Sequence, residues 1–203
     1  MIFHQQKLEI YQGEKMNIDK YRHPENNIEN FFFERWSSRL FNDKLVDKNQ
    51  ILSLFEAARW APSSSNSQPW KFVYATKGDF REKLNLVLNP FNRKWATKAP
   101  LIILVFSKNQ NNGKENRNAK FDTGAAWMSL AIQAKIMGLN TRAMGGIDHE
   151  IAHKVSGLSK DEYSSICAIA VGYPQLNFDN DSENTPSSRM KIDEFIMDKP
   201  LNH

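Results

Sequence analysis

Two uninterrupted apolar stretches constrain this chain most. Leu101–Phe106 reads LIILVF, and the segment from Ser164 reads SSICAIAV. Neither keeps the strict alternation of a strand with one wet face, so both are expected as strands covered on both sides. Coverage on both sides requires helices, and the remaining sequence supplies them. Ile28, Phe31, Phe32 and Trp36 follow helical spacing. Asp47 and Gln50 fit a capping pair before the stripe Ile51, Leu52, Phe55 and Ala58, which Pro62 ends. Trp70–Thr76 alternates like a half-buried strand, and a short helix is expected from Asp79 to near Pro90.

The longest helix carries Phe121, Ala125, Met128, Ile132 and Ile136 as one stripe and stops at Gly138. A strand is expected at Asn140–Met144, and a helix at His149–Ser156 between Asp148 and Gly157. Strands and helices mix without strict alternation, which predicts an α+β layer architecture. Residues 1–26 are polar and weakly periodic and read as a flexible arm; 27–203 read as a single domain with an extended tail. Apolar residues of that tail lack partners in their own neighbourhood, which points to a second subunit. The polar stretches at 108–118 and 177–188 are expected as surface loops.

With 203 residues and 40% hydrophobic content, the chain can bury one core. Net charge is +4, with basic residues scattered rather than clustered, which argues against nucleic-acid binding. The single cysteine, Cys167, lies in an apolar run and reads as a core residue. The first residues lack a signal-peptide core, and the longest apolar run is too short to span a bilayer. A cytoplasmic protein without membrane partners is expected.

One motif suggests metal chemistry. His149, Glu150 and His153 spell H-E-x-x-H, the helical signature of a zinc hydrolase. The extended form of that motif wants Gly at 156 and His at 159, and both are serine. A catalytic zinc needs a third protein ligand. Two surface histidines on an ordinary helix fit better, and no metal is expected.

Three polar clusters carry more information. Arg35 and Arg39 are spaced to share one side of a helical turn, with Ser37 between them, and a phosphate would suit their paired donors. Pro62–Trp70, PSSSNSQPW, crowds small hydroxyl and amide groups that could read the edge of a flat heterocycle. Gly145 and Gly146 would let backbone N–H groups approach a ligand. Taken singly, these also read as solvated arginines, a polar turn and a glycine turn.

Taken together and in this order, the clusters resemble the nitroreductase family of FMN-dependent oxidoreductases. The resemblance runs from about Ile28 to Ile196. It rests on Arg35-x-Ser37-x-Arg39 and on the block Pro62, Ser63, Ser64, Asn66, Gln68, Pro69 and Trp70. Ala99-Pro100, the trio Asp122, Gly124 and Ala125, the Gly145–Gly146 turn and a late Arg189 complete it. The resemblance implies an α+β fold with a central mixed β-sheet flanked by helices, and an intertwined homodimer with two interface sites, each binding FMN through both chains.

It also implies roles for individual residues. Arg35 and Arg189 would hold the FMN phosphate, and Arg39 the N1/O2 edge of the ring. Ser63, Ser64 and Asn66 would arrive from the other subunit, and the Gly145 amide would face N5. Trp36, Ser37, Pro62, Gln68, Asn92 and Gly146 complete the implied cofactor set. The implied reaction is ping-pong: NADH or NADPH delivers hydride to the flavin, and an electron-poor small molecule such as a nitroaromatic or quinone is reduced. Trp36 and Gly145 depart from the commonest family residues, which bears on the acceptor more than on the cofactor. Specialised relatives, a dehalogenase among them, and a flavin-binding protein without turnover are the alternatives within the fold. Residues 108–118, the visible candidate for a lid, look too polar to enclose an aromatic substrate.

Overall fold

The computed structural model describes residues 18–175 and 185–199. Much of the expected arm, most of the 177–188 loop and the last four residues therefore lie outside the described residues. The chain order is α1 (Asn30–Glu34), α2 (Lys48–Arg59), β1 (Trp70–Ala75), α3 (Gly78–Val87), α4 (Pro90–Ala96), β2 (Leu101–Lys108), β3 (Gln110–Asn111), β4 (Lys114–Glu115), α5 (Ala119–Ile136), β5 (Asn140–Met144), α6 (His149–Ser156) and β6 (Tyr163–Gly172). The main sheet has four strands in the order β1-β2-β6-β5.

Alternate residues of β2 explain its unbroken apolar run. Leu101, Ile103 and Val105 pack with Leu54 and Ala58 of α2 and with Ala126, Leu130 and Ala134 of α5. Ile102, Leu104 and Phe106 pack on the opposite side with Leu84 and Val87 of α3, Ala96 of α4 and Ala152 of α6. Fully burying one such side chain contributes about 1.5–3 kcal/mol, so β2 anchors both halves of the core. An α+β layered fold stands, but the sheet is not mixed: the β1–β2, β2–β6 and β5–β6 pairs are all antiparallel. An apolar run reports coverage of both faces, not strand direction.

Other expectations need correction. The arm read as flexible is docked where it is described: Ile18 is buried in a turn, and Arg22 is 8% exposed. The first helix is a single short piece, and Arg35 caps it in extended conformation (ψ 123°), so Arg35 and Arg39 do not share a helical turn. Helix α4, with Pro90 in its first turn and Asn89 as its cap, lies where no helix was expected. The polar 108–118 stretch holds the β3–β4 hairpin, turned by Asn112 and Gly113 with φ of 51° and 74°. Leu52 of α2 is exposed, while Leu54 takes the buried position.

Helix α5 is the largest departure. Three residues of its expected stripe are turned outward, Phe121 at 82% exposure with Met128 and Ile136 also exposed, while Ala125 and Ile132 are half-buried. The helix buries Ala119, Asp122, Thr123, Ala126, Leu130, Ala131 and Ala134 instead. Small residues let it approach α2 and the sheet closely. Among the described residues, no helix is long and apolar enough to cross a membrane.

Candidate functional site

The segment after α1 is held from two directions. Arg142 of β5 donates to the Ser37 carbonyl at 2.5 Å, and its guanidinium lies 5.5 Å from the centre of the Trp95 ring. Arg39 sits 5.1 Å from the Phe91 ring centre, a cation–π distance. Trp36, placed in the cofactor set by the resemblance, is buried at 6% exposure.

The glycine turn lies beside this segment. The Gly146 carbonyl accepts from the Asn89 backbone N–H at 3.1 Å and from the Asn92 side-chain amide at 3.0 Å. Asn89 in turn caps α4 by accepting from Asn92 N–H at 2.8 Å. Asn92 is thus spent on holding the turn and is largely buried. Space around Gly145 is open: a Cβ there would meet nothing within 4 Å.

Arg35 and Arg189 stand within electrostatic reach of each other. Burial, then the charge of Arg189, lowers the Arg35 pKa. Arg22 joins them, and burial followed by the charges of Arg189 and Arg35 brings its own pKa down to about 10. At neutral pH Arg22 and Arg35 remain cations despite these shifts. Among the described residues none of the three forms an ion pair with a carboxylate. Guanidinium groups without ion pairs have the donor geometry that suits an anion with several oxygens; the Glu25 carboxylate shares a cavity wall with Arg22 and Arg189 and accepts from Ile192 N–H.

The serine loop lies elsewhere. Pro62, Ser64, Asn66 and Gln68 are exposed and Ser63 is half-buried. Three non-glycine residues of this loop have left-handed backbone: Ser65 (φ 52°), Asn66 (φ 54°) and Gln68 (φ 45°). Such conformations cost on the order of 1 kcal/mol each and gather at ligand sites. The loop is held by Asp122, 3% exposed, which accepts from Ser64 N–H at 3.0 Å. The Ser63 hydroxyl accepts from Gln68 N–H at 3.1 Å, and Gln68 donates to the Asn66 carbonyl at 3.1 Å.

The expected set is therefore split within one chain. Lys135 pairs with Glu34, beside Arg35, at 3.2 Å, whereas Asp122 holds the serine loop. These two α5 residues are 13 positions apart (135 − 122), on the order of 20 Å along a helix. The serine loop also leads into β1, while Gly145 follows β5, and β1 and β5 are opposite edges of the sheet. Three strand spacings of about 4.8 Å lie between those edges, roughly 14 Å. One chain brings Arg35, Ser37, Arg39, Asn92, Gly145, Gly146 and Arg189 to one side and Pro62–Gln68 to the other.

Sequence reasoning missed Arg22, Asn89 and Arg142, and gave Asp122 no role. Of these, Asn89 had a usable signal, since Asn-Pro marks a helix start. The H-E-x-x-H residues disperse into separate contacts. His149 Nδ1 meets the Ser165 hydroxyl at 2.7 Å, Glu150 pairs with Lys160, and His153 Nδ1 meets the Leu158 carbonyl at 2.8 Å. His153 also stands edge-on to Phe106. No cluster of three or more His, Cys, Asp or Glu is arranged to hold a metal among the described residues. Burial pushes the Cys167 thiol up to about 11, so it is no ready nucleophile.

Residues 33–92 and 86–173 match the profile of the nitroreductase family. YdgI of Bacillus subtilis, assigned as an NAD(P)H nitroreductase, is 25% identical over 164 residues, covering 63% of this chain and 78% of YdgI. A crystal structure described as an oxidoreductase containing FMN superposes with a TM-score of 0.84 at 29% identity, covering 89% of this chain and 96% of that one. A Desulfovibrio desulfuricans protein solved in complex with FMN, and assigned as a nitroreductase, gives a TM-score of 0.68 at 25% identity, covering 85% and 96%.

Proposed function

The chain belongs to the nitroreductase family, and from that premise we propose that it is an FMN-dependent oxidoreductase that takes hydride from NADH or NADPH and reduces an electron-poor small molecule, a nitroaromatic or quinone. The observations that carry this reading are two: the Arg35 and Arg189 segments are drawn together by Arg22, with neither arginine in an ion pair among the described residues, and the space around Gly145 is open. That combination fits a planar ring with a phosphate tail: cations for the tail, unobstructed backbone for the ring. When bound, the cofactor supplies two-electron transfer, accepting hydride from the nicotinamide and passing reducing equivalents onward.

The protein supplies position and field. Arg35 and Arg189 hold the phosphate. Arg39, backed by Phe91 and by the Arg142–Ser37 contact, places fixed positive charge at the N1/O2 edge, where negative charge grows during reduction. Gly145 offers its amide to N5. Ser63, Ser64 and Asn66 approach from a second subunit, which the split of the site within one chain supports. Asn92 acts one step back, by fixing the glycine turn. A homodimer also covers the outward α5 stripe and the apolar tail residues Phe195, Ile196 and Met197, all more than half exposed.

The test is anaerobic. Purified protein is expected to be yellow, to bleach with NADH or NADPH, and to regain colour on addition of a quinone or nitroaromatic. Colourless protein that takes up no FMN, or yellow protein indifferent to both nucleotides, would overturn the reading.

A further inference from the structure

The segment ahead of α1 places a buried arginine, Arg22, against the backbone next to Arg35 and Arg189. Arg22 is 8% exposed, and an arginine so buried without an acidic partner is uncommon and costly. Its donors go to backbone carbonyls. Nε donates to Ser187 at 2.9 Å, and Nη1 to Phe33 at 2.8 Å and to Arg35 at 2.6 Å. One side chain thus ties the strand of backbone that bears Arg35 to the one that bears Arg189, positions far apart in sequence.

The backbone of Arg22 is itself fixed. Tyr21 N–H and Arg22 N–H both donate to the Ile18 carbonyl, at 2.9 and 3.0 Å, and Ile18 is buried. The tail is fastened to the same segment a second time, by Ile192 N–H donating to the Glu25 carboxylate at 3.1 Å. A cavity of about 520 Å³ opens between segment and tail, and Arg22, Phe32, Phe33, Arg189 and Phe195 are among its walls. Carbonyls accept three of the five donors of Arg22 but leave its charge, which adds to that of Arg35 and Arg189. A phosphate beside the three would offset that repulsion.

We infer that Arg22 is a positioning residue for the cofactor phosphate: it crosslinks the Arg35 and Arg189 segments and adds its charge to theirs. This rests on the reading that Arg35 and Arg189 bind that phosphate. A residue with this role discriminates FMN from riboflavin, which has the same ring and no phosphate. A residue that merely supports the fold treats the two alike.

The experiment titrates the full chain, freed of flavin, with FMN and with riboflavin, following flavin fluorescence. In Arg22→Gln, the FMN dissociation constant is expected to rise roughly 10- to 100-fold, as for loss of a charged hydrogen-bonding group. Riboflavin affinity should stay within about twofold, below what one such bond contributes. Arg22→Lys keeps the charge but lacks the planar fork, and is expected to fall between wild type and Arg22→Gln. Should the Gln variant fail to fold, the Lys variant decides alone: FMN-selective weakening supports the crosslink, and unchanged or equal effects on both flavins overturn it. For Arg22→Gln, too, equal weakening of both flavins or unchanged FMN affinity defeats the inference. Arg189→Ala separates the underlying reading: if it retains the wild-type preference for FMN, the phosphate assignment itself fails, whatever Arg22 does.

Discussion

Two adjacent glycines have different physical reasons to be glycine. A Cβ on Gly146 would lie 2.2 Å from the Asn89 side-chain amide and 2.9 Å from that of Asn92. The Asn89 amide can rotate away, but doing so removes its oxygen from the cap of α4. Gly146→Ala is therefore expected to cost about 1–2 kcal/mol, the value of a lost cap plus local crowding. Gly145→Ala meets open space and should leave stability within about 0.5 kcal/mol. Thermal or urea melts of the two variants check the contrast, and equal losses would refute it. From sequence alone both glycines suggested backbone access to a ligand; only packing separates the one that is needed for a helix cap. Arg22 was illegible for a related reason. Its partners are carbonyls, which every residue carries, so no side-chain pattern marks them.

Elements were legible where local chemistry decides them. The Asp47–Gln50 capping box, the α6 start at Asp148 and its stop at Gly157 (φ 71°) all form as the residues suggest. The Asn112–Gly113 hairpin was readable by the same logic but was submerged in a polar composition. Choosing the buried face of α5 was a different problem. Both faces are apolar, and periodicity favours the stripe of larger residues, whereas close packing favours the alanines. Asp122, on the buried face, would look like an error there if it did not hold the serine loop. Asp122→Ala is expected to leave Ser64 N–H without its acceptor, costing about 1–3 kcal/mol. The left-handed residues Ser65, Asn66 and Gln68 should then relax. Hydrogen exchange measures this: backbone amides across residues 64–68 should exchange faster in Asp122→Ala. In Asp122→Asn, which keeps a carbonyl acceptor, they should stay near wild type. Equal protection in all three proteins would mean the loop is held by other contacts.

At the scale of the molecule, the arginine side of the site and the serine loop stand apart within one chain, near opposite ends of α5 and at opposite edges of the sheet. The same helix turns Phe121, Met128 and Ile136 outward; α2 adds Leu52, and its C-cap Trp60 is 74% exposed. The proposed homodimer would account for both facts: a second copy packed on these helices would bury the apolar surface and carry its serine loop to the first copy's arginines. Met128 tests this, because it lies midway along α5, is exposed, and is remote in sequence from the residues assigned to the cofactor. Met128→Asp places a charge at the centre of the proposed interface, where a buried unpaired carboxylate costs several kcal/mol per copy. Sedimentation velocity at micromolar concentration should show a monomer for the variant and a dimer for the wild type. Far-UV circular dichroism should be unchanged, because the substituted side chain faces outward. Bound flavin should fall with dimer content, since each monomer keeps half of a site. A monomeric variant that retains stoichiometric FMN would mean that one chain suffices to bind it. An intact dimer with full flavin would place the interface on another face of the molecule.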